Sequence, residues 1–177
     1  VKGSALWTVS WGASIQNWVY GSMASDDAYK GSENTDQSVL AEIERWEVQT
    51  TNNFPADKWR LCIGMGVNRC NATLNVITKT LEAGTINEET ATKYRAEVKF
   101  LRGLFYFEAW LVFGDKIPLI TEDKILEAAK ISNVNAPGDI LNFIIADLDY
   151  AATKLPETHA QAGRPTSYAA KALAARA

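Results

Sequence analysis

The stretch from residue 94 to residue 121, YRAEVKFLRGLFYFEAWLVFGDKIPLIT, constrains the fold more than any other part of this chain. Its first turns alternate charge, and after Val98 apolar side chains occupy most of the helical circumference. A helix that is apolar on nearly every side must be covered on nearly every side, since burying one large apolar group contributes roughly 1.5–3 kcal/mol. The covering elements come from the rest of the chain, so this segment marks the centre of a core. Gly114 stops the helix and is expected at the C′ position in a left-handed conformation, where a Cβ is costly. Pro118 then forbids helix over 116–121, which reads as a short strand or extended segment. No catalytic group is embedded in the run.

The remaining pattern is also helical. Trp59, Cys62, Ile63, Gly66, Val67, Cys70, Leu74, Ile77 and Leu81 fall at intervals of three and four, predicting a helix over about 56–81 that Gly84 ends. Thr85 with Glu88 reads as a capping box for the next helix, over about 87–113. A third helix follows Pro137-Gly138 over 139–154 and is closed by Pro156, and Thr166 or Ser167 caps a fourth that runs to the end. Shorter helices are expected at 37–48 and through Trp18, with a brief helical turn at 125–129. The fold class is all-α. The helix pairs at about 56–113 and 139–177 resemble tetratricopeptide-like antiparallel hairpins, with long irregular connections between them.

Composition excludes several functions. With 47% hydrophobic residues and six each of Trp, Tyr and Phe, the chain can build a core without a disulfide. A net charge of −3, with no Lys/Arg cluster, argues against nucleic acid as a partner. No apolar run is long enough for a membrane-spanning helix, and residues 1–20 lack the pattern of a signal peptide. Cys62 and Cys70, eight residues apart on one helix, would stand about 12 Å apart, so they read as two buried thiols. His159 is the one histidine and has no nucleophile or second ligand in a recognisable arrangement. No metal, cofactor or catalytic residue is expected. Val1 opens in mid-pattern and helix formers run to Ala177, so the chain reads as a fragment of a longer one.

Several pieces occur in a characteristic order: Ser25-Asp26-Asp27 with Gly31, and Trp59 ahead of Asn68-Arg69-Cys70-Asn71. Arg95-Ala96-Glu97-Val98-Lys99-Phe100-Leu101-Arg102, Tyr106-Phe107, Phe113-Gly114-Asp115 and Ile117-Pro118-Leu119 follow. Ile145-Ala146-Asp147-Leu148, Leu155-Pro156 and Gly163-Arg164-Pro165-Thr166 leading into Ala169-Ala170-Lys171-Ala172-Leu173 complete the series. In order and spacing the chain is similar to the SusD/RagB family of glycan-binding outer-membrane lipoproteins of Bacteroidetes. The resemblance implies that residues 1–177 are the N-terminal helical-repeat part of a longer protein. It further implies noncovalent capture of oligosaccharide at the cell surface and delivery to a TonB-dependent, SusC-like transporter. Membrane attachment would be through a lipid anchor outside this chain, and the family catalyses no covalent chemistry. The alternative is a helical-repeat scaffold that binds a protein partner through its concave face, without glycan.

Individual side chains are weighed on that background. Glu97, Glu108, Asp115 and the Asp26-Asp27 pair could be imagined as glycosidase carboxylates, but solvated or paired surface acids are the better reading. Arg95, Glu97, Lys99 and Arg102 are expected to form structural ion pairs along their helix. Trp59, Phe100, Phe105 and Phe107 lie in apolar helical contexts and are assigned to the core. Sugar rings present apolar C–H faces to Trp and Tyr, while amide side chains satisfy their hydroxyls. The loop holding Trp46, Asn52, Asn53 and Phe54 offers both, in a neighbourhood from which the family draws sugar contacts, so these four are the candidate glycan-binding residues.

Overall fold

The computed structural model describes residues 18–33 and 35–177, arranged in two units, Val1–Leu61 and Cys62–Ala177. All regular structure among the described residues is helical, which makes the fold all-α. Most of the expected first helix, at residues 1–17, lies outside the described residues; Trp18–Met23 is a π-helical turn.

The first unit is small. Its helices are α1, Ser38–Glu44, and α2, Asn53–Trp59. Val19, Met23, Leu40, Ile43 and Phe54 form its core, so the apolar face expected over 37–48 is realised at Leu40 and Ile43. The helix expected over 56–81 is observed as three segments: α2, a π-helical segment Arg60–Val67, and α3, Asn68–Glu82. The π-helical segment contains Gly64 and Gly66, and the Phe105 ring fills the space where a Cβ on Gly66 would stand.

The second unit packs α3, α4 (Glu88–Phe113), α5 (Asp139–Lys154) and α6 (Ser167–Ala174). Gly66 meets Phe105, while Asn71 accepts from Arg102, so moving up the α3 side moves down α4 and the two are antiparallel. The same reasoning applies to α4 and α5: Tyr106 meets the Phe143 ring at 5.4 Å, Gly103 meets Leu148, and Lys99 lies 5.2 Å from the Tyr150 ring. Ala96, Ala151 and Ala170 pack together, fully covered, and their small side chains let α4, α5 and α6 approach closely. Between α4 and α5 the chain is extended through Ile120, then forms a 3-10 helix, Glu122–Lys130, where a turn was expected.

Several local expectations are corrected. Asn87, rather than Thr85, caps α4, accepting from Thr90 N at 2.9 Å. The Thr85 N–H is already used, donating to Thr80 O to close α3. Gly114 has the positive φ expected, at 56°, but its ψ of −144° lies outside the left-handed helical region, in territory open to little but glycine. Phe107 is buried as expected, whereas Trp59, Phe100 and Phe105 are only half-buried. On α4 close approach is made at Ala96, against Ala151 and Ala170, and at Gly103, against Leu148, and a large ring at either would hold the helices apart.

Candidate functional site

The Trp46 to Phe54 loop is built by the end of one helix and the start of the next. At the end of α1 the Trp46 N–H donates to Ile43 O and the Glu47 N–H donates to Glu42 O. This paired pattern is a Schellman closure, in which the residue at C′ adopts a left-handed conformation and is most often glycine. Here the C′ residue is Trp46, with φ 58°. Its side chain projects outward and is 80% exposed. Arg45 and Glu47 on either side pair with each other at 2.9 Å. The Gln49 side-chain amide donates to Glu47 O, and its backbone N–H donates to the Glu42 carboxylate.

Asn52 is buried at the other end of the loop. It caps α2 by accepting from Phe54 N at 3.0 Å, and its amide donates to Val39 O and to Glu42 Oε2. Phe54 is 1% exposed, in the core of the first unit. Asn53, at the first position of α2, is exposed. The structure thus brings Asn52 and Phe54 together as parts of the fold and leaves Trp46 and Asn53 facing solvent. Tyr29, in the same unit and not among the sequence candidates, is 85% exposed. Only its place in the Gly- and Ser-rich loop hints at that exposure.

The second unit holds a buried polar hub that sequence reasoning missed. Arg102, 1% exposed, donates to both oxygens of Asp147 at 2.6 and 2.9 Å, to Asn71 Oδ1 at 2.7 Å and to Glu122 Oε2 at 2.5 Å. Lys99 adds a bond to Asp147 at 2.8 Å. Asn71 also donates to Ile120 O, and Tyr106 Oη bonds both the N–H and the carbonyl of Ile120. Burial would lower the Arg102 pKa, but Asp147 and then Glu122 outweigh it and hold the guanidinium above its ordinary value. Burial would raise the Glu122 carboxyl, yet the Arg102 hydrogen bond and charge bring it below the usual range. Cys70 is pushed up to about 11 and Tyr106 to about 12, both by burial. With its charges mutually satisfied, the hub fastens α3, α4, α5 and the 3-10 segment together.

Of the other carboxylates singled out from sequence, Asp26 and Asp27 are exposed, while Glu97 and Asp115 have structural partners. Glu97 pairs with Arg164, and Asp115 accepts from Trp110 Nε1 and Gly138 N. Arg95 pairs with Glu88. All four α4 charges are paired, but not along their helix one turn apart as expected: only Arg95–Glu88 stays on α4, seven residues apart, and the others reach to other elements. Cys62 and Cys70 are free and buried. No described helix is long and apolar enough to cross a membrane.

Comparison with known proteins follows the same lines. A family model described as SusD-like, starch-binding and associating with the outer membrane, matches residues 8–177. A SusD-like protein of Bacteroides ovatus is 34% identical over 110 residues, covering 62% of this chain and 20% of that protein. A SusD-like protein of Formosa agariphila is 30% identical over 105 residues, covering 58% of this chain and 20% of that protein. The match thus spans about a fifth of the length of either relative. With nearly its whole length matched, the chain belongs to the SusD-like family of starch-binding proteins that associate with the outer membrane.

Proposed function

We propose that this chain is the N-terminal helical-repeat part of a longer SusD-like protein that captures oligosaccharide noncovalently at the cell surface. The protein then hands its ligand to a TonB-dependent, SusC-like transporter, and is held at the outer membrane by a lipid anchor carried outside this chain. The observation that carries the reading is Trp46, a large ring held in solvent at a backbone position that favours glycine. Backbone strain retained at an exposed side chain is a reason to look for function there. The indole face would stack on the C–H face of a sugar, and the Asn53 amide would meet its hydroxyls. Capture of this kind needs no covalent step.

The test is calorimetry on the full-length protein with starch-derived oligosaccharides. Trp46→Ala or Asn53→Ala should weaken binding by about ten- to hundredfold, on the order of 1–3 kcal/mol, with the melting temperature nearly unchanged. Unchanged affinity in both variants would remove the loop from the binding surface. Delivery is tested separately, by whether a SusC-like transporter co-purifies with the protein.

A further inference from the structure

The surroundings of Trp46 carry a charge pattern that stacking alone does not use. Every cation among the described residues of the first unit is already engaged or covered. Lys30 Nζ donates to the carbonyls of Glu33 and Asp36, Arg60 pairs with Asp57 at 2.7 Å, and Lys58 is buried. Arg45, next to Trp46 in the chain, is held by Glu47. The hydrogen bond that Arg45 donates to Glu47 is the main influence raising the Arg45 pKa, and the charges of Glu47, Glu44 and Glu42 add to it. The guanidinium next to Trp46 in the chain is thus paired with Glu47 and lies in the field of Glu44 and Glu42.

We infer that Glu47 is a specificity-determining residue: by occupying Arg45, with Glu42 and Glu44 alongside, it makes the Trp46 loop accept uncharged sugars and turn away glycans that carry carboxylate or sulfate. The inference rests on the Trp46 loop being the sugar-contacting surface. Residues 45 and 47 flank Trp46 in the chain, so substituents of a ring stacked on it would fall inside the roughly 10 Å over which charges are felt at 0.1 M salt. An anionic substituent there would meet Glu47 and Glu44 and would have to displace Glu47 to reach Arg45. A guanidinium is well suited to bidentate pairing with carboxylate or sulfate, so its occupation removes the natural recognition group for such glycans.

The experiment is calorimetry on the full-length protein, using neutral α-glucan oligosaccharides and oligogalacturonates of matched length, with Trp46→Ala and Glu47→Gln variants. Wild type should bind the neutral chain and bind the uronate at least tenfold more weakly. Glu47→Gln frees Arg45 and should raise the uronate-to-neutral affinity ratio about tenfold at low salt, with the gain shrinking as salt is added. A merely structural role for the exposed Arg45–Glu47 pair would not move that ratio. If Trp46→Ala abolishes neutral binding but Glu47→Gln leaves the ratio within twofold, the charge filter is overturned and the stacking site stands. Trp46-dependent uronate binding by wild type, as tight as neutral binding, overturns the filter in the same way. If no neutral chain binds, or Trp46→Ala leaves neutral binding unchanged, the loop itself is wrong and the inference falls with it.

Discussion

Trp46 stands at the end of α1 in the place that Gly84 takes at the end of α3. In each, the residue's own N–H donates to the carbonyl three positions back, Ile43 or Leu81. The following N–H, of Glu47 or Thr85, donates to the carbonyl five positions back, Glu42 or Thr80. The φ angles are 58° and 69°. One closure uses the residue without a Cβ, and the other uses the largest side chain available. For an L-residue other than glycine this region costs roughly 1–2 kcal/mol, so tryptophan at that position is a cost to stability with no packing return, its ring being exposed.

Trp46→Gly should therefore raise the stability of the protein by about 0.5–1 kcal/mol, while Trp46→Ala, which keeps the Cβ, should give less. Chemical denaturation of the two variants beside wild type is the check. A loss of more than about 1 kcal/mol for Trp46→Gly would show that the ring supports the fold, against its exposure here.

The Arg102 hub should behave as a buried, mutually dependent network. Removing one member leaves a charge uncompensated in the interior, so Arg102→Met should cost about 3–5 kcal/mol. The double variant Arg102→Met/Asp147→Leu should cost less than the sum of the single changes, because it strips both charges together. A double-mutant cycle by denaturant unfolding measures this, and additivity within about 0.5 kcal/mol would mean that the pair does not act as one unit.

The hub also marks where sequence reading ran out. The α5 boundaries, Asp139–Lys154, and the end of α4 at Phe113 are the expected ones, because periodicity and the Gly114 and Pro156 stops are local signals. From sequence Arg102 is one of four charges expected to form ion pairs along α4 itself. Its setting between Leu101 and Gly103 hinted at burial, but the partners lie 45 and 31 residues away, at Asp147 and Asn71, and no local pattern pairs them. The cap of α4 was misplaced for a related reason. Thr85 and Asn87 are both good caps, and the choice was decided when α3 took the Thr85 N–H for its own closure. In the candidate loop, Asn52 ahead of Phe54-Pro55 is itself a helix-start signal, with Pro tolerated in the first turn. That signal accounts for the burial of Asn52, and of the four candidates the loop's composition suggested only Trp46 and Asn53 are exposed.

Acid should loosen the contact between Arg102 and the 3-10 segment. The folded-state pKa of Glu122 lies below its ordinary value, since the Arg102 bond and charge outweigh a burial that would raise it. A depressed carboxylate pKa contributes stability that is present above the unfolded-state value, about 4.3, and is lost as pH falls through the folded value. Stability should decline on acidification below about pH 4.5, and Glu122→Gln should flatten part of that decline while lowering stability at neutral pH. Since the Glu122 side chain is 36% exposed, solvent screening keeps its share modest. Unfolding titrations from neutral to acid pH provide the measurement, and parallel profiles for the two proteins would show that Glu122 is not linked to folding.

Close helix approach supplies the last prediction. A Cβ on Gly66 would stand 2.6 Å from Phe105 Cδ1, with the root of the ring closer still, so the ring could not turn away without shifting α4. At Gly103 the clash is milder, 3.0 Å to Leu148 Cγ, and a leucine side chain can give by a few tenths of an ångström. Gly66→Ala should therefore destabilise by about 1–3 kcal/mol through overpacking, and Gly103→Ala by less. The ordinary helix-propensity gain of Gly→Ala, about 1 kcal/mol, works in the opposite direction at both sites and leaves the contrast between them unchanged. Phe105→Leu should restore part of the loss in Gly66→Ala, because it removes the ring against which the new methyl presses. Thermal and denaturant unfolding of the two single variants and the double variant decide the matter. If Gly66→Ala proves as stable as wild type, or Phe105→Leu adds its cost without any rescue, the Gly66–Phe105 packing is not the contact that sets the π-helical segment against α4.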